Sequence, residues 1–131
     1  MQRLILTISC LVGLAVSAED FVPVTDAVKQ SLVSNVTAVV PGQTFTVGVR
    51  MHHKTGFHTY WQYPGTVGLA TMLDWKLPKG FAAGEIQWPV PDKTFMVIYD
   101  AHGYERDVTL LVDITAPLTL PEGPFTLSVN S

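Results

Sequence analysis

Four histidines, His52, His53, His58 and His102, are the side chains in this 131-residue chain best suited to hold a metal ion, and the first three lie close together behind Met51. Imidazole and thioether donors in that order would suit copper or zinc. The spacing argues against a shared ion. Neighbouring residues of an extended strand point to opposite faces, so His52 and His53 do not converge, and a Lys54-Thr55-Gly56 turn separates both from His58. At most two ligands come from this hairpin, and the three histidines read as ordinary surface or loop residues. His102, beside Gly103, reads as a turn residue. Asp100, Glu105 and Asp107 flank Ala101-His102-Gly103-Tyr104, and a carboxylate pair near a histidine is a format for acid–base catalysis. Charged residues around a turn are more simply explained as solvated. No serine sits in a nucleophile elbow and no glycine-rich phosphate loop occurs. The sequence therefore assigns no catalytic, cofactor-binding or metal-binding residue, and no cofactor is expected.

Thiol chemistry is limited by a single cysteine, Cys10, and its position ties it to the leader. Arg3 gives a short positive start, Leu4 to Val16 form an apolar run, and Val16-Ser17-Ala18 close it with small residues. That is the pattern of a secretory signal peptide over residues 1–18, cut after Ala18. The run is too short for a membrane anchor, since a spanning helix needs roughly 20 residues. It also continues past Cys10 through Leu11-Val12-Gly13-Leu14, where a lipoprotein signal would have stopped. Residues 19–131 then contain no cysteine. They hold no thiol nucleophile and no disulfide, and the fold must rest on apolar packing.

Charge excludes a further class of partner. Eight basic residues less Arg3 leave seven against eleven acidic ones, a net charge of −4 for residues 19–131. With no basic cluster, nucleic acid is not an expected partner.

The elements that must position these residues are short strands. Residues Glu19 to Gln30 carry no clear period. Val36, Ala38 and Val40 alternate with Asn35, Thr37 and Val39, and Phe45, Val47, Val49 and Met51 follow at period two after Pro41-Gly42-Gln43. This predicts an antiparallel pair joined by a Pro-Gly turn. Thr71 to Leu77, Glu85 to Trp88, Thr94 to Tyr99, Asp107 to Thr115 and Phe125 to Val129 read as further strands, separated by Pro or Gly. Val108, Leu110, Val112 and Ile114 mark one face as core. Pro64-Gly65 and Pro89-Val90-Pro91 read as loop-shaping, and Trp61, Trp75 and Trp88 as core filling. Asn35-Val36-Thr37 is only a weak match to a glycosylation acceptor. Seven or eight such strands with no helical period predict an all-β, immunoglobulin-like antiparallel β-sandwich forming one domain over residues 19–131.

Between Phe57 and Tyr104 one ordered run of aromatic, proline and glycine residues stands out. It reads His58-Thr59-Tyr60-Trp61-Gln62-Tyr63-Pro64-Gly65, Gly68-Leu69, Asp74-Trp75-Lys76-Leu77-Pro78, Gly80-Phe81, Gly84, Ile86-Gln87-Trp88-Pro89, Pro91 and Gly103-Tyr104. In this it resembles the N-terminal domain of the bacterial thiol:disulfide interchange protein DsbD family, which includes the related ScsB proteins. The resemblance implies a periplasmic domain that takes electrons from a membrane-embedded redox domain. It implies transfer to periplasmic thiol oxidoreductases through a cysteine pair, the electron-transfer chemistry linked to cytochrome c biogenesis. The family's pair follows the segment that Phe125 to Ser131 resembles, and these residues contain none. An apolar strand ending at Asn130-Ser131 leaves a sheet edge unpaired. The expectation is therefore a domain incomplete at its C-terminus, rather than a natural variant that lost the pair.

The reading is thus the scaffold of a thiol:disulfide interchange domain, redox-silent over these residues, with any enzyme label belonging to the family. The alternative is an exported immunoglobulin-like binding module for a protein, glycan or copper ion, and a purely structural exported domain is a further rival.

Overall fold

The computed structural model describes residues 3–8, 22–23, 27–96 and 98–131, and every element in them is a strand. In chain order these are β1 (Arg3–Ile8), β2 (Val22–Pro23), β3 (Val28–Ser34), β4 (Thr44–His53), β5 (Thr59–Gly65) and β6 (Asp74–Lys76). They continue as β7 (Ala82–Gln87), β8 (Asp92–Met96), β9 (Tyr99–Tyr104), β10 (Val108–Thr115) and β11 (Phe125–Asn130). A five-stranded sheet runs β2-β3-β4-β10-β7, and two three-stranded sheets run β1-β11-β6 and β5-β9-β8. All pairings are antiparallel. This is an all-β, sandwich-like architecture of the immunoglobulin type.

Period-two sequence produces the central ladder. In β4 and β10 the register sets Phe45 against Ile114, Val47 against Val112 and Val49 against Leu110. All six are at most 4% exposed, as their alternation predicts. They join Leu32 of β3 and Phe125, Leu127 and Val129 of β11 in one apolar cluster, so the core lies between the large sheet and the sheet containing β11. Burial of apolar rows on facing sheets is the main source of stability in a domain without disulfides. Trp61, Trp75 and Trp88 pack against this cluster while remaining only partly buried. They border the core rather than fill its centre.

Several boundaries differ from the sequence-based expectation. The strand paired with β4 is β3, not Val36 to Val40, and residues 35–43 form the connection. Val39 is buried and Val40 is exposed, and Gln43 N donates to Val40 O to close a turn there. β3 escaped notice because two polar residues, Gln30 and Ser31, are buried in it. Gln30 is compensated there by the Ser131 hydroxyl, which donates to its Oε1 at 2.6 Å. Asn35 acts structurally: its Oδ1 accepts the Thr46 N–H at 2.9 Å while its own N–H donates to the Thr46 carbonyl. Thr71 to Leu77 contains strand only at Asp74–Lys76.

Thr94 to Tyr99 is a hairpin rather than one strand, with Met96 paired to Tyr99. Ala101 to Tyr104 then lies in β9, so His102 and Gly103 are strand residues, not turn residues. Pro64-Gly65 closes β5 instead of shaping a loop. The register shifts between Tyr60 and Gly65, and Gly65 has φ 101°, a region glycine enters without a Cβ clash.

β1 lies within the segment read as an export signal, and the remainder of that segment, residues 1–2 and 9–18, lies outside the described residues. The edge of β11 that the sequence leaves bare is paired in the structure by β1, from Arg3 opposite Asn130 to Ile8 opposite Phe125.

Candidate functional site

Strand alternation at the end of β4 separates the two adjacent histidines as the spacing requires. His52 is exposed and its Nδ1 lies 2.6 Å from Asp107 Oδ1. His53 is buried, with Nδ1 at 2.9 Å from the Arg106 carbonyl and Nε2 at 3.0 Å from Thr59 Oγ1. A carbonyl only accepts, so Nδ1 carries the proton and Nε2 accepts from the Thr59 hydroxyl. Burial holds the His53 pKa below its usual value, against the smaller opposing pull of the Arg106 carbonyl and the Asp107 charge. Both ring nitrogens are occupied by protein groups and the ring is neutral, so His53 is a tie among β4, β5 and the β9–β10 turn.

His58 meets Tyr60 edge-on with centroids 5.0 Å apart, and His102 lies 6.2 Å from Trp61 on the other side of β5. The four histidines are thus dispersed. No group of three or more His, Cys, Asp or Glu side chains forms a metal-binding arrangement among the described residues.

The carboxylates are likewise drawn into separate pairs. Asp100 Oδ2 is 2.9 Å from Lys93 Nζ, Asp92 Oδ1 is 2.9 Å from Arg106 Nη2, and Asp107 binds His52. The three carboxylates therefore do not share one site, and the His52–Asp107 pair is exposed. Asp74, on β6, is held below the ordinary carboxylate range by hydrogen bonds from Lys76 and Asn130, a surface arrangement beside β11.

Two concave regions meet at the end of β11. An apolar groove of about 420 Å³ is lined by Gln30, Met51, Thr59, residues 69–72 and Ser131. A second, of about 480 Å³, lies between Met72, Leu73, Asp74, Asn130 and Ser131. Leu69 and Met72 are exposed within this region. Gly68 positions that segment: at φ 98° it passes against the Tyr60 ring, where a Cβ would overlap the ring carbons. The hairpin of β8 and β9 exposes Phe95, Ile98 and Tyr99. Sequence reasoning passed over both surfaces. They consist of single apolar residues at loop and hairpin positions, which carry no periodic signal.

The arrangement can bind and shape, its described groups include no thiol, and its His52–Asp107 pair is an exposed surface contact. It defines a β-sandwich scaffold with apolar surfaces beside its last strand and at one hairpin. Residues 19–131 match the model of the family described as thiol:disulfide interchange protein DsbD, N-terminal, and the chain belongs to that family. It is a member whose matched residues contain no cysteine. Among solved structures it is similar to the N-terminal periplasmic domain of ScsB from Proteus mirabilis, at 17% identity and a TM-score of 0.62. That match covers 86% of this chain and 45% of the other, so the chain spans less than half of the ScsB domain. At this identity the likeness establishes the shared fold. A search of curated proteins gave no match.

Proposed function

We propose that residues 19–131 are the scaffold of a periplasmic thiol:disulfide interchange domain. In the full-length protein this domain takes electrons from a membrane-embedded redox partner and hands them to periplasmic thiol oxidoreductases. Family membership across residues 19–131, on a body with no cysteine, carries this reading. Disulfide exchange requires a thiolate to attack sulfur, and no thiol is available there. The scaffold's part is to shape and shield a cysteine pair contributed from outside these residues. Residues 1–18 serve as the export signal, and the exported chain begins at Glu19.

The test compares residues 19–131 with the domain extended by whatever the gene encodes beyond Ser131, each assayed for reduction of a periplasmic partner's disulfide. The short form should be inactive and the extended form active. Turnover by the short form, or an extended form without exchanging cysteines, would overturn the reading. N-terminal sequencing of the exported protein separately tests cleavage after Ala18.

A second reading is a binding module for a protein, glycan or copper ion. It is favoured by the exposed Phe95, Ile98 and Tyr99 of the β8–β9 hairpin. Specific capture of one partner by the short form, lost in Phe95→Ser with Ile98→Ser, would select it.

A further inference from the structure

The pairing of β1 with β11 joins a segment outside the family-matched residues to the last strand inside them. β11 is bounded on one side by β6, which pairs with it only at Ser128, Val129 and Asn130. On the other side β1 pairs along its full length, with Leu4 opposite Val129, Leu6 opposite Leu127 and Ile8 opposite Phe125. Those three β11 residues belong to the core, at 0 to 7% exposure. The family match begins at residue 19, so this edge partner is not part of the shared domain. The backbone of β1 also comes close to that of β3, placing it beside both layers.

We infer that the β11 edge is a strand-accepting surface and that, in the unprocessed chain, its occupant is the leader segment Arg3–Ile8. The inference rests on the proposed reading of residues 1–18 as an export signal only for its biological consequence. An open edge presents a row of unpaired N–H and C=O groups, and an added strand satisfies them whatever its side chains. The register places residues 4, 6 and 8 of the leader opposite β11's buried row, Val129, Leu127 and Phe125.

Occupancy has two effects. A leader whose backbone is paired to β11 in the folded domain is not free to engage an export or cleavage apparatus, so folding before export sequesters it. Removal of the leader frees the edge for another strand, so processing and edge availability are one event.

Hydrogen exchange on the purified unprocessed chain tests this, read over residues 125–130, with the β4 and β10 amides as the internal measure of global folding. Protection in the unprocessed chain should fall by about tenfold or more over residues 125–130 in Leu6→Pro, which removes a ladder donor, while β4 and β10 are unchanged. The same loss is expected in residues 19–131, and a synthetic peptide of residues 3–8 should restore protection. Equal protection in the unprocessed chain and in Leu6→Pro, with β4 and β10 intact, would overturn the inference. Protection in residues 19–131 that rises with protein concentration would assign the edge to a second copy and overturn it too. The measurement uses purified chain, so it fails or succeeds independently of where export cleavage occurs.

Discussion

The hydroxyl of Tyr104 donates to the carbonyl oxygen of Pro89 at 2.7 Å, fastening the end of β9 to the segment that follows β7. This bond links the β5-β9-β8 sheet to the edge of the large sheet. Tyr104→Phe keeps the ring and leaves that carbonyl without this donor, at a cost of about 1–2 kcal/mol, read as a lower denaturation midpoint with unchanged slope. Burial also lifts the Tyr104 pKa from 10.0 to about 12. The neutral hydroxyl is favoured in the fold, so this contribution is whole below pH 10 and declines as pH rises from 10 to about 12. Phenylalanine at 104 should remove that alkaline decline, and a decline of equal size in the variant would count against it.

His53 should make the domain acid-sensitive. Its pKa is lowered from 6.5 chiefly by burial, so the folded state holds it neutral while the unfolded chain protonates at the higher value. Stability is full above pH 6.5 and falls as pH drops from there toward the depressed folded pKa. Melting temperature measured from pH 7.5 downward should show this loss. His53→Gln should be less stable at pH 7.5 and lose less on acidification.

Gly103 has no room for a side chain, since a Cβ there would overlap the carbonyl oxygen of Thr59 on β5. Gly103→Ala must spread the β5–β9 pairing, at a cost of about 3 kcal/mol or more, above the usual range for overpacking because the obstacle is backbone. Urea denaturation gives the value. A cost near zero would mean that the two strands are not paired as described.

Ile114 is fully buried at the centre of the apolar cluster. Ile114→Ala should cost roughly 2–5 kcal/mol, whereas Leu111→Ala, at the partly exposed neighbouring position, should cost less than about 1 kcal/mol. Equal losses would contradict the alternation of β10.

Isothermal calorimetry with copper or zinc should show no site of micromolar affinity or tighter in residues 19–131, since both His53 nitrogens are engaged and His52, His58 and His102 are dispersed. A stoichiometric site lost in His52→Ala or His58→Ala would reverse that reading.

The core was legible where apolar residues alternate without interruption, as in β4 and β10, because a half-buried strand needs that period. It was obscured where polar groups are buried with partners. Gln30 and His53 break the apolar pattern, and their compensation comes from Ser131, Thr59 and the Arg106 carbonyl, distant in sequence or invisible in residue type. The hairpin from Asp92 to Tyr104 was misjudged because Met96 and Tyr99 sit across a tight reversal with no Gly-Pro signal. For the site, the sequence showed that residues 19–131 hold no thiol and which family the aromatic and proline run resembles. The grooves beside Ser131 come from strands brought together only in three dimensions.

The ladder between β4 and β10 has a consequence in time. Thr44 and Thr115 share a hydrogen bond between hydroxyls at 3.0 Å although they are 71 positions apart. Every rung of that ladder closes a long loop, and closing such loops precedes any gain from the contacts they bring. A chain delivered from its N-terminus cannot assemble its central sheet until the segment ending at Thr115 has emerged. Topology itself delays closure of the β4–β10 ladder during synthesis, while the local β3–β4 pair can form first, without requiring any residue to hold the sheet open.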